Sequence, residues 1–238
     1  MTIDADLLFD VLEQTWPQAS TARTGPWTIR QGLGGGKRVS AATAEATFTA
    51  SDLPVAEAAM QALGQHRLFM IRDTDMGLDA MLDSAGYRII DPVLLYSSPV
   101  QPLTSTPVPP VSAFEIWPPL AIMADLWALG GIGPNRIAVM HRTKDPKTAI
   151  LARHADQPVG VAFVAIHDGI AMIHAIEVSP KHRRQGVGVN ILRAAAHWAQ
   201  DQGASHLTLA VTRANVAGNA LYSSIGMQVV GQYHYRIK

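Results

Sequence analysis

Hydrophobic and polar residues alternate along the chain with two periods, and the switches between them outline a mixed α/β pattern. Leu7–Gln14 carries Leu7, Leu8, Val11 and Leu12 at helical spacing, so these four share one face. Trp27–Ile29 and Arg38–Phe48 favour strands on either side of a glycine run. Leu53–Leu63 returns to the helical period, Arg67–Ile71 reads as a short strand, Met76–Ala85 as a helix ending near Gly86, and Tyr87–Tyr96 as a strand. Beyond a proline-rich stretch, Ala113–Trp117 predicts a strand, then Leu120–Leu129 and Pro134–His141 predict helices. Thr148–His154, Val159–Ile166 and Ala171–Val178 follow as three strands, with hairpin turns at Asp156–Gln157 and Asp168–Gly169. A long helix is expected from about Gly186 to Gln200, then strand Ser205–Val211, helix Val216–Ile225 and strand Val229–Ile237. Three consecutive strands argue against a simple doubly wound sheet and favour an α+β mixed sheet.

Ser97–Ala113 holds five prolines and no charged residue, which suits an extended connector rather than a helix. It divides the chain into residues 1–97, a linker at 98–112, and residues 113–238. Each part ends in helix, short strand, helix, glycine and strand, over Leu53–Tyr96 and Gly186–Ile237, as two diverged copies of one module would.

Charge sharpens this division. The 238 residues carry 19 basic and 19 acidic side chains. Residues 1–112 hold seven Lys/Arg against twelve Asp/Glu, and the remainder holds the reverse, so an anionic ligand is expected on the second part and the parts should attract. Overall neutrality speaks against a nucleic-acid partner. There are no cysteines, which removes disulfides, thiolate metal sites and thiol nucleophiles. No run is long enough for a membrane span, and the acidic N-terminus is unlike a signal peptide, so a soluble cytoplasmic protein is expected. The nine histidines are scattered without ligand spacing, and no metal is expected.

Two stretches invite a phosphate. Gln31–Arg38, QGLGGGKR, has four glycines in five residues with bases nearby. Gly36–Lys37 is followed by Arg38 rather than Ser or Thr, and Gln31 stands where the first P-loop glycine belongs. Gly32–Gly36 is therefore expected to be a turn between strands, with any ligand role confined to its basic rim. Val178–Asn190, VSPKHRRQGVGVN, follows a strand and opens the longest helix. Its glycines admit close backbone approach, its helix start supplies unpaired amides, and Lys181, Arg183 and Arg184 add charge.

At this point the sequence resembles the GNAT acetyltransferase superfamily. Arg183, Gly186 and Gly188 form its Arg-x-x-Gly-x-Gly signature after Val178 and Pro180, and NVAGNALYSSIGM, Asn215–Met227, matches its second block. The resemblance covers Ala113–Lys238. It implies the GNAT fold and a pyrophosphate of acetyl-CoA held by backbone amides from Arg184 through Gln185, Gly186, Val187 and Gly188 to Val189, helped by the Arg183 side chain. It also implies pantetheine pairing along Ile176 and Val178, Asn215 and Asn219 near that arm, and Tyr222 as general acid to the departing thiolate. The Val178 amide is the candidate oxyanion donor. Glu177 and His174 are candidate bases, directly or through water; strand alternation puts them on opposite faces unless a bulge intervenes. His234 is a weaker candidate.

Residues 1–97 look like a diverged copy lacking both signatures: FTASDLPVAEAA precedes its helix without Arg-x-x-Gly-x-Gly. The expected activity is direct acetyl transfer to a primary amine, of a small molecule in the first instance and of a peptide or protein as alternatives. A non-catalytic acyl-CoA sensor and a structural protein on a duplicated fold are the competing classes. Oligomeric state is left open.

Overall fold

The computed structural model of the protein describes residues 3–238. Helix α1 (Ala5–Thr15) opens on Asp4, whose carboxylate accepts the Leu7 amide at 2.9 Å and so caps an otherwise unpaired donor. A small antiparallel sheet follows, with β1 (Ser20–Thr24), β2 (Trp27–Gln31) and the two-residue β3 (Thr43–Ala44). Then come α2 (Leu53–Ala62), β4 (Leu68–Arg72), α3 (Met76–Ser84), β5 (Arg88–Pro99) and α4 (Val100–Thr104). The second part runs β6 (Ala113–Ile116), α5 (Ala121–Leu129), α6 (Pro134–Arg142), β7 (Lys147–His154), β8 (Gln157–His167) and β9 (Ile170–Val178). It closes with α7 (Val187–Asp201), β10 (His206–Thr212), α8 (Val216–Ser224) and β11 (Gln228–Ile237). Among the described residues, no helix is long and apolar enough to cross a membrane.

Two expectations are corrected, and one strand was missed. Arg38–Phe48 is not one strand: Lys37–Val39 is a 3-10 turn, and the Ser40 hydroxyl bonds back to the Gly36 carbonyl, curling the chain before Thr43–Ala44 can pair with β2. Strand β1 escaped the pattern because START has no large apolar residue to reveal a period. The connector is not uniformly extended. β5 runs to Pro99, and α4 buries Val100 and Leu103 in the core that includes α7.

The main sheet has eight strands in the order β4-β11-β5-β10-β9-β8-β7-β6, antiparallel except for β9–β10. The repeat now has a geometric form. The run α2-β4-α3-β5 matches α7-β10-α8-β11, with Gly86 and Gly226 both left-handed (φ 81° and 88°) before the last strand. The last strands are exchanged: β5 lies beside β10, and β11 beside β4. They meet each other as the inner pair of these four strands, where Arg88↔Ile237 and Ser97↔Gln228 are end-to-end equivalents. Even the bulge at Val229/Gly231 has a counterpart opposite Tyr233/Tyr235. Sheet and core are thus shared by both copies.

One sheet face carries α7, α4 and Tyr222 of α8, packed on Ile150, Val164, Ile173 and Leu209. The other face carries α1 over Met172, Tyr233 and Tyr235, and α5 with α6 over Ala149, Val161 and Phe163. Polar contacts join the two parts. Arg236, buried, forms ion pairs with Asp79 at 2.7 Å and Asp83 at 2.5 Å, and Asp10 lies within hydrogen-bond distance of His167 at 3.1 Å.

Candidate active site

β9 and β10 pair only from Ile170↔His206 to Ile173↔Leu209. β10 then continues along β5 as far as Thr212↔Val93, while β9 stays on β8, so the two strands part and leave a gap in the sheet. The gap exposes β9 backbone. Ser179 donates its amide to Val159 at 2.8 Å, which makes the neighbouring Gly160–Val178 rung the non-bonded one. The Val178 amide therefore points into the gap, and the Val178 carbonyl accepts Arg183 Nε at 3.1 Å.

From Val178 the chain makes a 3-10 turn at Pro180–His182 and enters α7 through Gly186, which is left-handed at φ 83°. Arg184 is left-handed too, at φ 62°. Nothing lies within 4 Å of a side chain built at Gly186, so its missing Cβ leaves open space. Among the described residues, none of the amides from Arg184 to Val189 donates to a protein acceptor; the first paired one is Asn190, to Gly186 at 3.0 Å. Free amides and the positive end of a 15-residue helix together form an anion cradle. Gly188 serves packing instead: a Cβ there would lie 2.9 Å from Leu221, so it sets the approach of α8 to α7.

β9 also carries a bulge. Val161 faces Glu177 and Phe163 faces His174, so one β8 residue opposes Ala175 and Ile176 together, with Ala175 at φ 52°. The Trp127 indole fixes this kink by donating to the Ala175 carbonyl at 2.8 Å. The extra residue puts His174 and Glu177 on the same face, whereas simple alternation separates them.

Their surroundings differ. His174 is 4% exposed, lies against Trp16 and Phe163, and has both nitrogens engaged. Thr15 Oγ1 gives its proton to the Val11 carbonyl at 2.6 Å and therefore accepts from His174 Nε2 at 2.9 Å. Nδ1 is left to accept from Arg38 Nη1 at 3.1 Å. Burial holds the imidazole well below its ordinary value, and the Arg38 charge pushes the same way. Glu177 is half-buried beside Gly130. Burial raises its carboxyl above the usual range, while Arg183 and Arg136 pull it partly back.

Tyr222 lies across the gap, on the α7 face. Its ring tilts against Tyr96 at 5.6 Å, and its hydroxyl has no hydrogen-bond partner among the described residues. Burial first, then the Glu177 charge and Tyr96, push its pKa up to about 12, so the phenol stays protonated at neutral pH. The two asparagines are occupied locally. Asn215 caps α8 through the Gly218 amide at 2.9 Å, and Asn219 donates to the Thr212 and Asn215 carbonyls while accepting from the Tyr96 hydroxyl. They hold the β10–α8 corner. His234 pairs with Asp79 at 2.9 Å, on the β4 side of β11.

On the face opposite the cradle, a cavity of about 220 Å3 opens at the gap. Its walls include His174 and Ala175 of β9, Ala210 and Thr212 of β10, and Tyr233 and Tyr235 of β11. The first copy closes it with Gly35–Arg38 and Asp91, and the α5–α6 region with Ile132 and Arg136. The glycine-rich stretch is therefore a docking loop. A Cβ at Gly34 would strike the Asn135 side chain, and one at Gly35 would lie 2.7 Å from Val139, so the loop lies directly on α6. Sequence alone did not flag Trp127, Thr15 or Gly130 and placed Arg38 only within a basic rim; the four come together only in space. It also missed the trio Asp10, His167 and Asp168, two exposed acids about a half-buried histidine, whose polar atoms lie within 4.8 Å of one another at the β8–β9 hairpin, at the other end of β9 from the gap.

Comparison with known proteins agrees with this architecture. The acetyltransferase (GNAT) family pattern matches residues 118–227. Over 233 residues the chain is 26% identical to the uncharacterized N-acetyltransferase YobR of Bacillus subtilis, covering 94% of each chain. A GCN5-related N-acetyltransferase from Kribbella flavida superposes with a TM-score of 0.72 at 19% identity, covering 98% of this chain and 95% of that one. A tandem GNAT protein from the clavulanic acid biosynthesis pathway gives a TM-score of 0.60 at 11% identity, over 95% and 86% of the two chains. Sequence pattern and fold converge: residues 118–227 carry the acetyltransferase (GNAT) family pattern, and the chain as a whole is similar in sequence to an N-acetyltransferase and in fold to GNAT proteins.

Proposed function

We propose that the protein transfers an acetyl group from acetyl-CoA to the primary amine of a small molecule, both substrates meeting in the β9–β10 gap. The observation that carries this reading is the row of unpaired amides from Arg184 to Val189, set beside a gap that opens into a cavity on the opposite face. The cradle suits the pyrophosphate of acetyl-CoA, and the gap-facing backbone of Ile176–Val178, its Val178 amide above all, suits the amide-bearing pantetheine arm. Acetyl-CoA then enters from the α7 side and the amine from the cavity side. A cavity of about 220 Å3, walled by both copies, fits a small amine better than a folded protein surface.

Glu177, its proton affinity raised by burial, is the base that takes the ammonium proton directly or through water. The freed amine attacks the thioester carbonyl while the Val178 amide donates to the developing oxyanion. The C–N bond forms, the C–S bond breaks, the leaving sulfur takes the Tyr222 phenol proton, and the second proton shed by the attacking nitrogen returns through solvent to the Tyr222 phenolate. A thiol with an ordinary pKa near 8.5 leaves readily, so this last transfer contributes less than the positioning of the amine. His174 has no free nitrogen and acts by holding Arg38 and the β9 kink. Calorimetric titration with acetyl-CoA tests the reading: one saturable site is expected, and a flat trace at millimolar ligand would overturn it.

A further inference from the structure

The cavity contains a charge without a counter-charge. The two arginines that are buried whole each face carboxylates: Arg30 pairs with Glu13 at 2.9 Å, and Arg236 with Asp79 and Asp83. Half-buried Arg38 has no carboxylate within ion-pair distance among the described residues; its hydrogen-bond partner is the neutral imidazole of His174, with the phenols of Tyr233 and Tyr235 close beside it. Its Nε is buried and unbonded. So is the hydroxyl of Tyr233, a residue 2% exposed that lines the same cavity. Buried polar groups are normally satisfied, and a guanidinium keeps its charge in any surroundings. The acid that does line the cavity, Asp91, is held by Lys37 at 2.7 Å, while Arg136 adds a second cation.

From this juxtaposition we infer that the acceptor is an amine that also bears a carboxylate, and that the Arg38 guanidinium, beside the Tyr233 phenol in the cavity wall, receives that carboxylate. The inference rests on the acetyl-transfer reading for the fate of the amine, while the carboxylate subsite stands on its own geometry. A guanidinium meets a carboxylate through paired donors, and the phenol supplies a third. The loop that delivers Arg38 is the glycine-rich one lying on α6, so the first copy, which lacks the CoA signature, supplies acceptor specificity. The amine end is left to point across the β9 kink toward Glu177.

The test pairs amines that differ by one carboxylate, lysine with cadaverine and 4-aminobutyrate with propylamine, in an acetyl-CoA thiol-release assay. The carboxylated member should have a kcat/KM at least about 30-fold higher, the size expected for losing one partner of a buried charge pair. Arg38→Gln should abolish that preference by raising the acceptor KM, with the KM for acetyl-CoA unchanged. Should Arg38→Gln fail to fold, the wild-type preference together with Tyr233→Phe decides the matter. Equal use of both members, or preference for the decarboxylated amine, would overturn the inference and leave acetyl transfer intact. Calorimetry with lysine and 4-aminobutyrate in the absence of acetyl-CoA separates the two readings: Arg38-dependent binding without turnover keeps the subsite and removes the reaction.

Discussion

Gly130→Ala gives a sharp test of Glu177, because it moves the carboxylate without touching its chemistry. Gly130 ends α5 at φ −86° and ψ 6°, an ordinary conformation for any residue, so alanine adds no backbone strain. The added Cβ would run into the Glu177 carboxyl carbon and would lie 2.6 Å from Cγ and 2.7 Å from Oε2. Carbon atoms pack at about 3.5–4.0 Å, so the whole side chain must swing by roughly 1 Å or more. A displacement of that size at a reacting group costs about 100-fold in rate, or about 2.7 kcal/mol of barrier. Thiol release should show kcat falling by about that factor, with acetyl-CoA affinity within about twofold of wild type because the cradle lies on the other face. In a Glu177→Ala background the same change should cost nothing further, since the two act through one group. Unchanged kcat for Gly130→Ala, or losses that add in the double variant, would refute Glu177 as the base.

Gly186→Val forces a β-branched residue into φ 83° and fills the open space before α7; acetyl-CoA affinity should fall at least about tenfold by calorimetry, and an unaltered Kd would contradict the cradle. Tyr222→Phe should lower kcat by about tenfold, less than the usual general-acid contribution because a thiol leaves readily, while the Kd for acetyl-CoA shifts less than about twofold; unchanged turnover across the pH range would remove the acid role. Thermal stability should drop as pH falls below about 6.5. The unfolded chain gains a proton on His174 that the folded state refuses, a slope of up to about 1.4 kcal/mol per pH unit, and His174→Gln should flatten this part of the profile. A fragment of residues 113–238 loses β5 from between β10 and β11 and should not unfold cooperatively in circular dichroism; a sharp transition at the full-length Tm would contradict the exchanged-strand arrangement.

The geometry of the proposed cradle was legible in the sequence because it is local: strand, basic turn, glycine and helix start are contiguous, and each follows from its own residues. The repeat was legible as an order of elements, since Leu53–Tyr96 and Gly186–Ile237 share it. The exchange of β5 and β11 was not, because periodicity says which face a strand buries and not which strand lies beside it. The β9 bulge was hidden because nothing in IHAIEV announces a left-handed alanine; Ala175 is held there by an indole 48 positions away. The acceptor side was least visible. Arg38, Asp91, Gly130 and Tyr233 lie far apart along the chain, and the glycine run that looked like a phosphate loop is small-residue packing against α6.

The most direct measurement of acetyl transfer is thiol release from acetyl-CoA by the full-length protein, with and without each member of an amine panel. Release is expected to depend on an added amine, to saturate with it, and to yield the N-acetyl product in equal amount. Saturable acetyl-CoA binding with release no faster than background hydrolysis for every amine tested, carboxylated or not, would contradict it.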